Sequence, residues 1–394
     1  MKRRDFLTNS ILAGAGIAST SLISCAVGSG NLKNNRSTAT ASKYLPVSQL
    51  KKPLAIAMWD FSWILRHHRY GEFENWDKTL EELAERGYDA IRMDAMPQFV
   101  AAAKDGKITD EFRSNKDGWR PAIWGNDYTM SFRPREALIE FLTKCKKYGI
   151  RVGLASWFMQ HGTGQNDIFM EEGGLYRAWD ETLTFLDNNH LLDNNILYVD
   201  VLNEYPTTNG YDWMKKEMNL RADAKQFKLN NPDANVPEPD MENYRSNYLQ
   251  VDFYNKFAND ILSRLKTKYG ALDFFVSLDS NLADHDLTNF AALDYHVWFH
   301  HRGGIPGLNE VGKVKQGDID YREVMKNLQS YWAANKSVLT EWMNGKMKDV
   351  SQAAEKQGIV CGNTEGWGPI FWFDHPELDW SWVKESAEIC VDLL

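Results

Sequence analysis

The chain of 394 residues has few cysteines, only four, and none of them forms a CxxC pair. Paired cysteines at such spacings are typical of zinc knuckles, and denser cysteine is typical of disulfide-stapled domains. Both classes are therefore disfavoured. The chain also lacks a His-x-His motif, and no group of residues has the spacing of metal ligands. We predict no metal and no other cofactor.

Positive charge is outnumbered by negative charge, with 45 Lys and Arg against 54 Asp and Glu. The net charge is −9, and no basic stripe runs along the chain. Nucleic acids and anionic lipid surfaces are bound through clustered Lys and Arg, so neither is an expected partner. Aromatic residues are abundant in contrast, at 13% including 15 Trp. Most of these rings are expected in a large core, and one or two are expected to stack on a ligand.

The first 25 residues have the composition of an export signal. A charged start, Lys2-Arg3-Arg4, precedes an apolar stretch from Ile11 to Ile23. That stretch is shorter than the roughly 20 residues that a permanent membrane-spanning helix needs. Leu22-Ile-Ser-Cys25 resembles the lipobox of bacterial lipoproteins, in which the cysteine is lipidated. The alternative is an ordinary signal-peptidase site with Cys25 as a free thiol.

The sequence divides into three regions: a signal at 1–25, a flexible tether at 26–48 and a globular part at 49–394. The tether is rich in Gly, Asn, Ser and Thr, a composition typical of flexible linkers. We therefore expect an exported protein of the bacterial cell envelope, anchored through Cys25 or otherwise periplasmic or secreted. The export route, twin-arginine or general, stays open.

Short apolar runs alternate with helical patterns along the globular part. The predicted strands are residues 54–59, 89–94, 151–157, 196–204, 274–278, 292–298, 337–341 and 369–374. A helix is predicted around Val324–Trp332, before the seventh strand. Eight such units predict a (β/α)₈ barrel. An open doubly wound sheet is the alternative. Such a sheet usually has a Gly-rich turn after its first strand to bind a nucleotide, and Met58–Ser62 contains no glycine.

Two predicted strands end in glutamate. Ile196–Pro206 contains Asn203-Glu204, and Ser337-Val-Leu-Thr-Glu341 closes the predicted seventh strand. The carboxyl ends of barrel strands meet at one face, where the chemistry of this fold takes place. Two carboxyl groups facing each other there suit the cleavage of a glycosidic bond. We interpret Glu204 as the acid/base and Glu341 as the nucleophile.

At these positions the chain resembles the clan of (β/α)₈ glycoside hydrolases that includes the cellulases, and within it the bacterial cellulase-like proteins. In that clan the fourth strand ends in Asn-Glu and the seventh in Glu. The resemblance implies that Asn203 binds a sugar hydroxyl next to the nucleophile. It also implies that Arg92 hydrogen-bonds the nucleophile and lowers its pKa.

Other strand ends are candidates for substrate binding. The resemblance places Tyr295 or His296 at the side of the site and Trp372 under the sugar. Asp60 is a candidate for hydroxyl binding and Trp157 for stacking. Many cellulases have a histidine at the end of the third strand, where this chain has Ser156-Trp157. That departure concerns the substrate class more than the chemistry.

Two classes of function remain open. The first is a retaining glycoside hydrolase that acts on β-linked oligo- or polysaccharide at the cell envelope, or a transglycosylase with the same residues. The second is a non-catalytic carbohydrate-binding lipoprotein on a degenerate barrel, since a fold alone does not imply activity. The presence of both carboxylates favours the enzyme. In either case the expected partner is a carbohydrate.

Overall fold

The computed structural model describes residues 45–114, 126, 128–158, 173–193, 195–206, 214, 248–280, 282–299, 321–366 and 377–393. The signal with Cys25, most of the tether, and the predicted eighth strand with Trp372 lie outside the described residues. Those parts of the sequence interpretation stay predictions.

Five parallel strands form the main sheet, in the order β1-β2-β5-β6-β7. They are β1 (Ile56–Asp60), β2 (Ala90–Asp94), β5 (Arg151–Ala155), β6 (Ile196–Asp200) and β7 (Phe274–Phe275). A short antiparallel pair, β3 (Phe112–Arg113) with β4 (Ser131–Phe132), lies in the connection after β2. The apolar side chains of β2, β5 and β6 are buried, as expected of a parallel sheet covered on both faces.

Two further parallel strands, β8 (Ala292–Asp294) and β9 (Val360–Gly362), continue the wall beyond β7. A parallel bridge joins Leu278, just after β7, to Tyr295, just after β8. The backbone N–H of His296 donates to Leu278 O at 2.7 Å, which extends this pairing. Strands that are neighbours in sequence are thus neighbours in space around the wall. The predicted (β/α)₈ barrel is confirmed, and the first six predicted strands are in place.

Helices cover the outer side of the wall. They are α1 (Ser62–Leu65), α2 (Trp76–Glu85), α3 (Pro97–Val100), α4 (Pro134–Lys147), α5 (Gly174–Asn188), α6 (Tyr248–Lys268), α7 (Tyr321–Gln357) and α8 (Ser381–Leu393). Helix α2 packs against α4, α5 against α6, and α7 against β8, β9 and α8. Within the described part of the chain, no helix combines the length and the apolar character needed to cross a membrane.

The prediction of a seventh strand at 337–341 is wrong. These residues lie in the middle of α7, a helix of 37 residues. Its buried positions recur at helical spacing well beyond the predicted end, through Leu339, Met343, Met347 and Val350. The helix ends before Gly358, whose φ of +68° is a left-handed conformation that glycine adopts without strain. The seventh barrel strand is β9, which begins two residues later.

The barrel interior contains a tight contact between β5 and β6. A Cβ added at Gly153 would lie 2.2 Å from Cζ of Tyr198, so only glycine fits beside this ring. Tyr198 and Asp200 are two residues apart on β6 and therefore share a face, which directs both into the barrel. Most described Trp side chains are core residues; the buried ones are Trp63, Trp76, Trp157, Trp179, Trp298, Trp332 and Trp382.

Candidate active site

Arg92, on β2, is the centre of a buried polar cluster at the carboxyl ends of the strands. Its side chain is fully buried. Nη1 contacts Asp60 Oδ1, at the end of β1, and lies 2.6 Å from Glu365 Oε1. Nη2 donates to Asp200 Oδ2 at 3.0 Å and to Asn203 Oδ1. One guanidinium therefore connects the ends of β1, β2 and β6 with the segment after β9.

Asp200 connects this cluster to β7. Its Oδ1 accepts the backbone N–H of Ser277 at 2.8 Å, and its Oδ2 accepts the Ser277 hydroxyl at 2.7 Å. The same hydroxyl oxygen accepts the backbone N–H of Glu204 at 3.0 Å. Ser277 is thus a bridge between the arginine cluster and the main chain of the predicted acid/base.

Asn203 and Glu204 lie in a turn just beyond β6. The backbone N–H of Asn203 donates to Ser156 O at 3.0 Å, which ties the turn to the end of β5. Glu204 has a φ of 48°, a left-handed conformation that is uncommon for a residue with a Cβ. Arg92 fixes the Asn203 amide by bonding its oxygen. The Glu204 side chain is 12% exposed and points into the cluster.

His296, just after β8, connects the two sides of the site. Its Nδ1 lies 3.1 Å from Glu204 Oε1 and 3.8 Å from Glu365 Oε2. Its Nε2 lies 3.5 Å from Asp294 Oδ2. Asp294 in turn accepts the backbone N–H of Thr364 at 3.0 Å and the Thr364 hydroxyl at 2.6 Å. This holds the imidazole between the two glutamates.

Glu365 follows β9 and is almost completely buried, with a side chain 1% exposed. Beside its Arg92 contact, Oε2 faces His296. A carboxylate oxygen of Glu204, Nδ1 of His296 and a carboxylate oxygen of Glu365 lie within 4.8 Å of one another. Retaining glycosidases have their two carboxyl groups about 5–5.5 Å apart, and inverting enzymes about 6.5–9.5 Å apart. The approach of Glu204 and Glu365 is nearer to the first range than to the second.

Burial and mutual charge shift the pKa values in the cluster. Burial raises the pKa of Glu365 well above its usual value; Arg92 and His296 oppose this, while Asp60 and Glu204 add to it. Burial also raises the pKa of Asp60 and of Asp200. His296 has its pKa raised well above the usual value because its carboxylate neighbours outweigh its burial. Carboxyl groups outnumber basic groups here, so the cluster retains protons that acid/base chemistry can use.

Several predicted site residues meet in this cluster: Arg92, Asn203, Glu204, His296 and Asp60. Asp60, predicted as a hydroxyl binder, is fully buried against Arg92 instead. Trp157 is buried too; its indole lies beside Asp60 and its ring packs edge-on against Phe61. Both residues support the cluster in this structure.

Tyr295 and His296 were predicted as alternatives for one place, and they point to opposite faces of β8. Burial raises the pKa of Tyr295 to about 12, and the negative charges of Asp279 and of Asp349, on α7, add to the shift. Tyr295 therefore faces the helix layer, and His296 faces the barrel interior, as the alternation of a strand requires.

Glu341 does not lie at a strand end. Its side chain is exposed on α7, on the outer layer of the barrel. The interpretation of Glu341 as the nucleophile is wrong for this reason, and Glu365 is the residue that sequence reasoning missed. The signal was present: Gly358 ends a helix, the apolar run Ile359-Val-Cys361 follows, and Asn363-Thr-Glu365 closes it.

A cavity of about 1070 Å³ lies beside Glu365. Its wall includes Glu365, Trp298, residues of β1 and the segment from Arg66 to Arg86. These residues place the cavity along the side of the barrel, between the segment after β9 and helix α2.

The sequence matches the family model "Sugar-binding cellulase-like" over residues 56–393. The chain belongs to this cellulase-like family. The match covers every described strand from β1 to β9. Membership supports a glycosidase-type function on a barrel of this kind. The comparison with curated proteins gives no match.

Among solved structures, the cellulase-like chain is similar to a provisionally assigned glycoside hydrolase from Parabacteroides distasonis. That protein is 26% identical with a TM-score of 0.66, over 86% of this chain and 84% of the other. An endo-1,4-β-D-mannanase from Thermotoga petrophila, crystallised with maltose and glycerol, is 12% identical with a TM-score of 0.39, over 86% and 84% of the chains. A glycoside hydrolase family 5 enzyme from Prevotella bryantii is 10% identical with a TM-score of 0.41, over 89% and 99%.

Proposed function

We propose that this cellulase-like protein is a retaining glycoside hydrolase that cleaves β-linked oligo- or polysaccharide. The observation that carries the proposal is the approach of Glu204 and Glu365 within 4.8 Å, with Arg92 bound to Glu365. In this proposal Glu204 is the acid/base and Glu365 the nucleophile.

The first step forms a covalent intermediate. A carboxylate oxygen of Glu365 attacks the anomeric carbon, the bond from that carbon to the leaving oxygen breaks, and Glu204 transfers its proton to the leaving oxygen. Arg92 stabilises the anionic form of Glu365 through the 2.6 Å contact between Nη1 and Oε1. His296, 3.1 Å from Glu204, orients the acid.

The second step releases the sugar. Esterification removes the negative charge of Glu365, which had raised the proton affinity of its neighbour Glu204. Glu204 then ionises more readily and takes a proton from water while the water oxygen attacks the anomeric carbon. The bond to Glu365 breaks, and the product keeps its anomeric configuration.

The test is a glycan-panel incubation in which products are followed by mass and their anomers by NMR. Wild type is expected to cleave with retention. Glu365→Gln is expected to lower turnover by at least about 10⁴-fold on every substrate, since it removes the nucleophile. Glu204→Ala is expected to lose about 10²–10⁴-fold on natural linkages and much less on substrates with good leaving groups. Azide should restore Glu204→Ala and yield a glycosyl azide of retained configuration.

The words "Sugar-binding" in the family description favour a second candidate, a carbohydrate-binding protein without turnover. Under that alternative, wild type, Glu365→Gln and Glu204→Ala would all cleave nothing while the same glycan raised the melting temperature of wild type. Inversion of the anomer would instead contradict the assignment of Glu365 as nucleophile.

We also propose export and lipid attachment at Cys25, on the sequence alone. Cys25→Ser is expected to move the protein from the membrane fraction to the soluble fraction of a bacterial host. An unchanged distribution would leave Cys25 without a role in anchoring.

A further inference from the structure

The histidine between the two glutamates gives the cluster the chemistry of a transition-metal site. Glu204, His296 and Glu365 are all buried, and each offers one ligand atom within 4.8 Å of the other two. His296 Nδ1 is 3.1 Å from Glu204 Oε1 and 3.8 Å from Glu365 Oε2. Tetrahedral Zn²⁺ with bonds of about 2.0–2.1 Å places its ligand atoms about 3.3 Å apart. The three atoms need only small adjustments to surround one ion.

The surroundings of His296 strengthen this comparison. A histidine that binds a metal through one ring nitrogen usually donates the N–H of the other to a carboxylate or carbonyl oxygen. That hydrogen bond fixes the orientation of the ring. His296 Nε2 lies 3.5 Å from Asp294 Oδ2, and Thr364 holds Asp294 through two hydrogen bonds. The chain thus has three ligand atoms of the kinds that Zn²⁺ binds, with an outer carboxylate behind the histidine.

Glu365 provides an independent observation. Its Oε2 is buried and accepts no hydrogen bond from the described residues, although it points toward His296. A buried carboxylate oxygen without a donor is costly, and a cation would relieve that cost. The surplus of carboxyl groups around Arg92 and His296 acts in the same direction. Mg²⁺ and Ca²⁺ prefer all-oxygen sites, so the nitrogen ligand favours Zn²⁺.

We infer that Glu204, His296 and Glu365 form a binding site for one Zn²⁺ ion that excludes glycoside hydrolysis while it is occupied. The ion would engage both glutamates at once, so neither a free nucleophile nor a proton donor would remain. Binding of Zn²⁺ is independent of turnover, whereas the inhibition rests on the proposed hydrolase function.

The test is calorimetric titration of Zn²⁺ into untagged, EDTA-treated protein. One ion per chain is expected. Asp294→Asn, which changes only the outer carboxylate, should weaken binding by about 10–100-fold. Glu365→Gln and His296→Gln remove ligands and should weaken it further. Two control variants should bind as wild type does: Glu341→Gln, on α7, and His68→Ala, whose ring stacks on Tyr128. Co²⁺ in wild type should give the visible absorption of a four-coordinate site.

The outcomes separate the two proposals. No stoichiometric binding, or binding that survives both Glu365→Gln and His296→Gln, overturns the Zn²⁺ site. Hydrolysis that continues in the presence of one bound Zn²⁺ per chain overturns the inhibitory role. Zn²⁺ binding with the expected variant pattern in a protein that hydrolyses no glycan leaves the site intact and overturns the hydrolase. Hydrolysis lost with Zn²⁺ and restored with EDTA supports both.

Discussion

The two glutamates of the candidate site are held in place by different means. Glu204 is positioned through its main chain: its φ is 48°, its N–H donates to Ser277 Oγ, and the next residue, Tyr205, donates its hydroxyl proton to Tyr254 O at 2.7 Å. Glu365 is positioned through its side chain, by the charge of Arg92, while His296 contacts both glutamates and lies closer to Glu204.

This difference matches the two proposed roles. A nucleophile must be anionic and stationary; Arg92 holds the Glu365 carboxylate in place and opposes the rise in its pKa that burial causes. An acid/base must exchange its proton within each turnover, and no guanidinium contacts the Glu204 carboxylate among the described residues. Glu204 is also the more exposed of the two side chains, 12% against 1%.

Removal of the arginine charge should have the largest effect, on the Glu365 side. Arg92→Met leaves Asp60, Asp200 and Glu365 buried without their cation, and the free energy of unfolding should fall by about 3–5 kcal/mol. Urea unfolding measures this change. Arg133→Met removes a half-exposed arginine that pairs with Glu111 and Glu136, and it should change stability by less than about 1 kcal/mol. Equal losses in the two variants would contradict the central place of Arg92.

A pH effect should come next, from the aromatic residues behind Glu204. Burial lowers the pKa of His285 to about 4, and its ring lies 5.0 Å from that of Tyr254. Between pH 6.5 and 4, His285 is protonated in the unfolded chain but neutral in the folded chain. The free energy of unfolding should therefore fall as the pH falls through this window. The loss at the acid end should be about 2–3 kcal/mol after allowance for partial exposure.

His285→Phe should remove that part of the acid-side slope and keep the aromatic packing. The measurement is the free energy of unfolding between pH 4 and 7 for both proteins. A slope that is the same in wild type and in His285→Phe would show that His285 is not its origin.

Loss of the hydroxyl below the Glu204 turn should have a smaller effect. Ser277→Ala removes the acceptor for the Glu204 N–H and a donor to Asp200, at a cost of about 1–2 kcal/mol. If Ser277 positions the acid/base, kcat should also fall more for poor leaving groups than for good ones. Ser280→Ala removes a half-buried hydroxyl that donates to its neighbour Asp279 at 2.8 Å, and it is the matched control. A uniform loss over all leaving groups would indicate a structural role only.

The smallest effect should belong to Glu341. Glu341→Gln changes one exposed side chain on α7, and both activity and stability should stay within about 0.5 kcal/mol of wild type. Measured beside Glu365→Gln on the same substrate, it separates the two Thr-Glu sequences of this chain. Inactivation by Glu341→Gln would falsify the assignment of the nucleophile to Glu365.

Much of the site could be predicted from the sequence because local patterns carry it. An apolar run that ends in polar residues marks a buried strand, and the barrel brings such ends together. Asp60, Arg92, Asn203, Glu204 and His296 stand at such strand ends, and the family resemblance implied the roles of Arg92, Asn203 and His296. Sequence patterns do not say which way a side chain at a strand end turns, so Tyr295 and His296 could be separated only by the structure.

The error at 337–341 has a physical cause. Ser337-Val-Leu-Thr-Glu341 contains only two consecutive apolar residues, and these also fit the helical repeat that continues to Val350. The true strand, Val360–Gly362, has three residues and gives a weak local signal. Its place is decided by pairing with β8, a long-range contact that no window along the chain contains. Thr340-Glu341 and Thr364-Glu365 have the same residue types. They differ because the first lies within a long helix and the second follows a strand that pairs with β8.

The close approach of Tyr198 to Gly153 has a consequence for how this protein can evolve. The Tyr198 ring fills the space beside Gly153. A single methyl group added at Gly153 would lie 2.2 Å from that ring. Neither position can be altered independently: enlarging the glycine demands a smaller neighbour, and shrinking the tyrosine opens a void. The pair should therefore be inherited together, and a lineage that exchanged the two sizes would have to pass through an unfavourable intermediate.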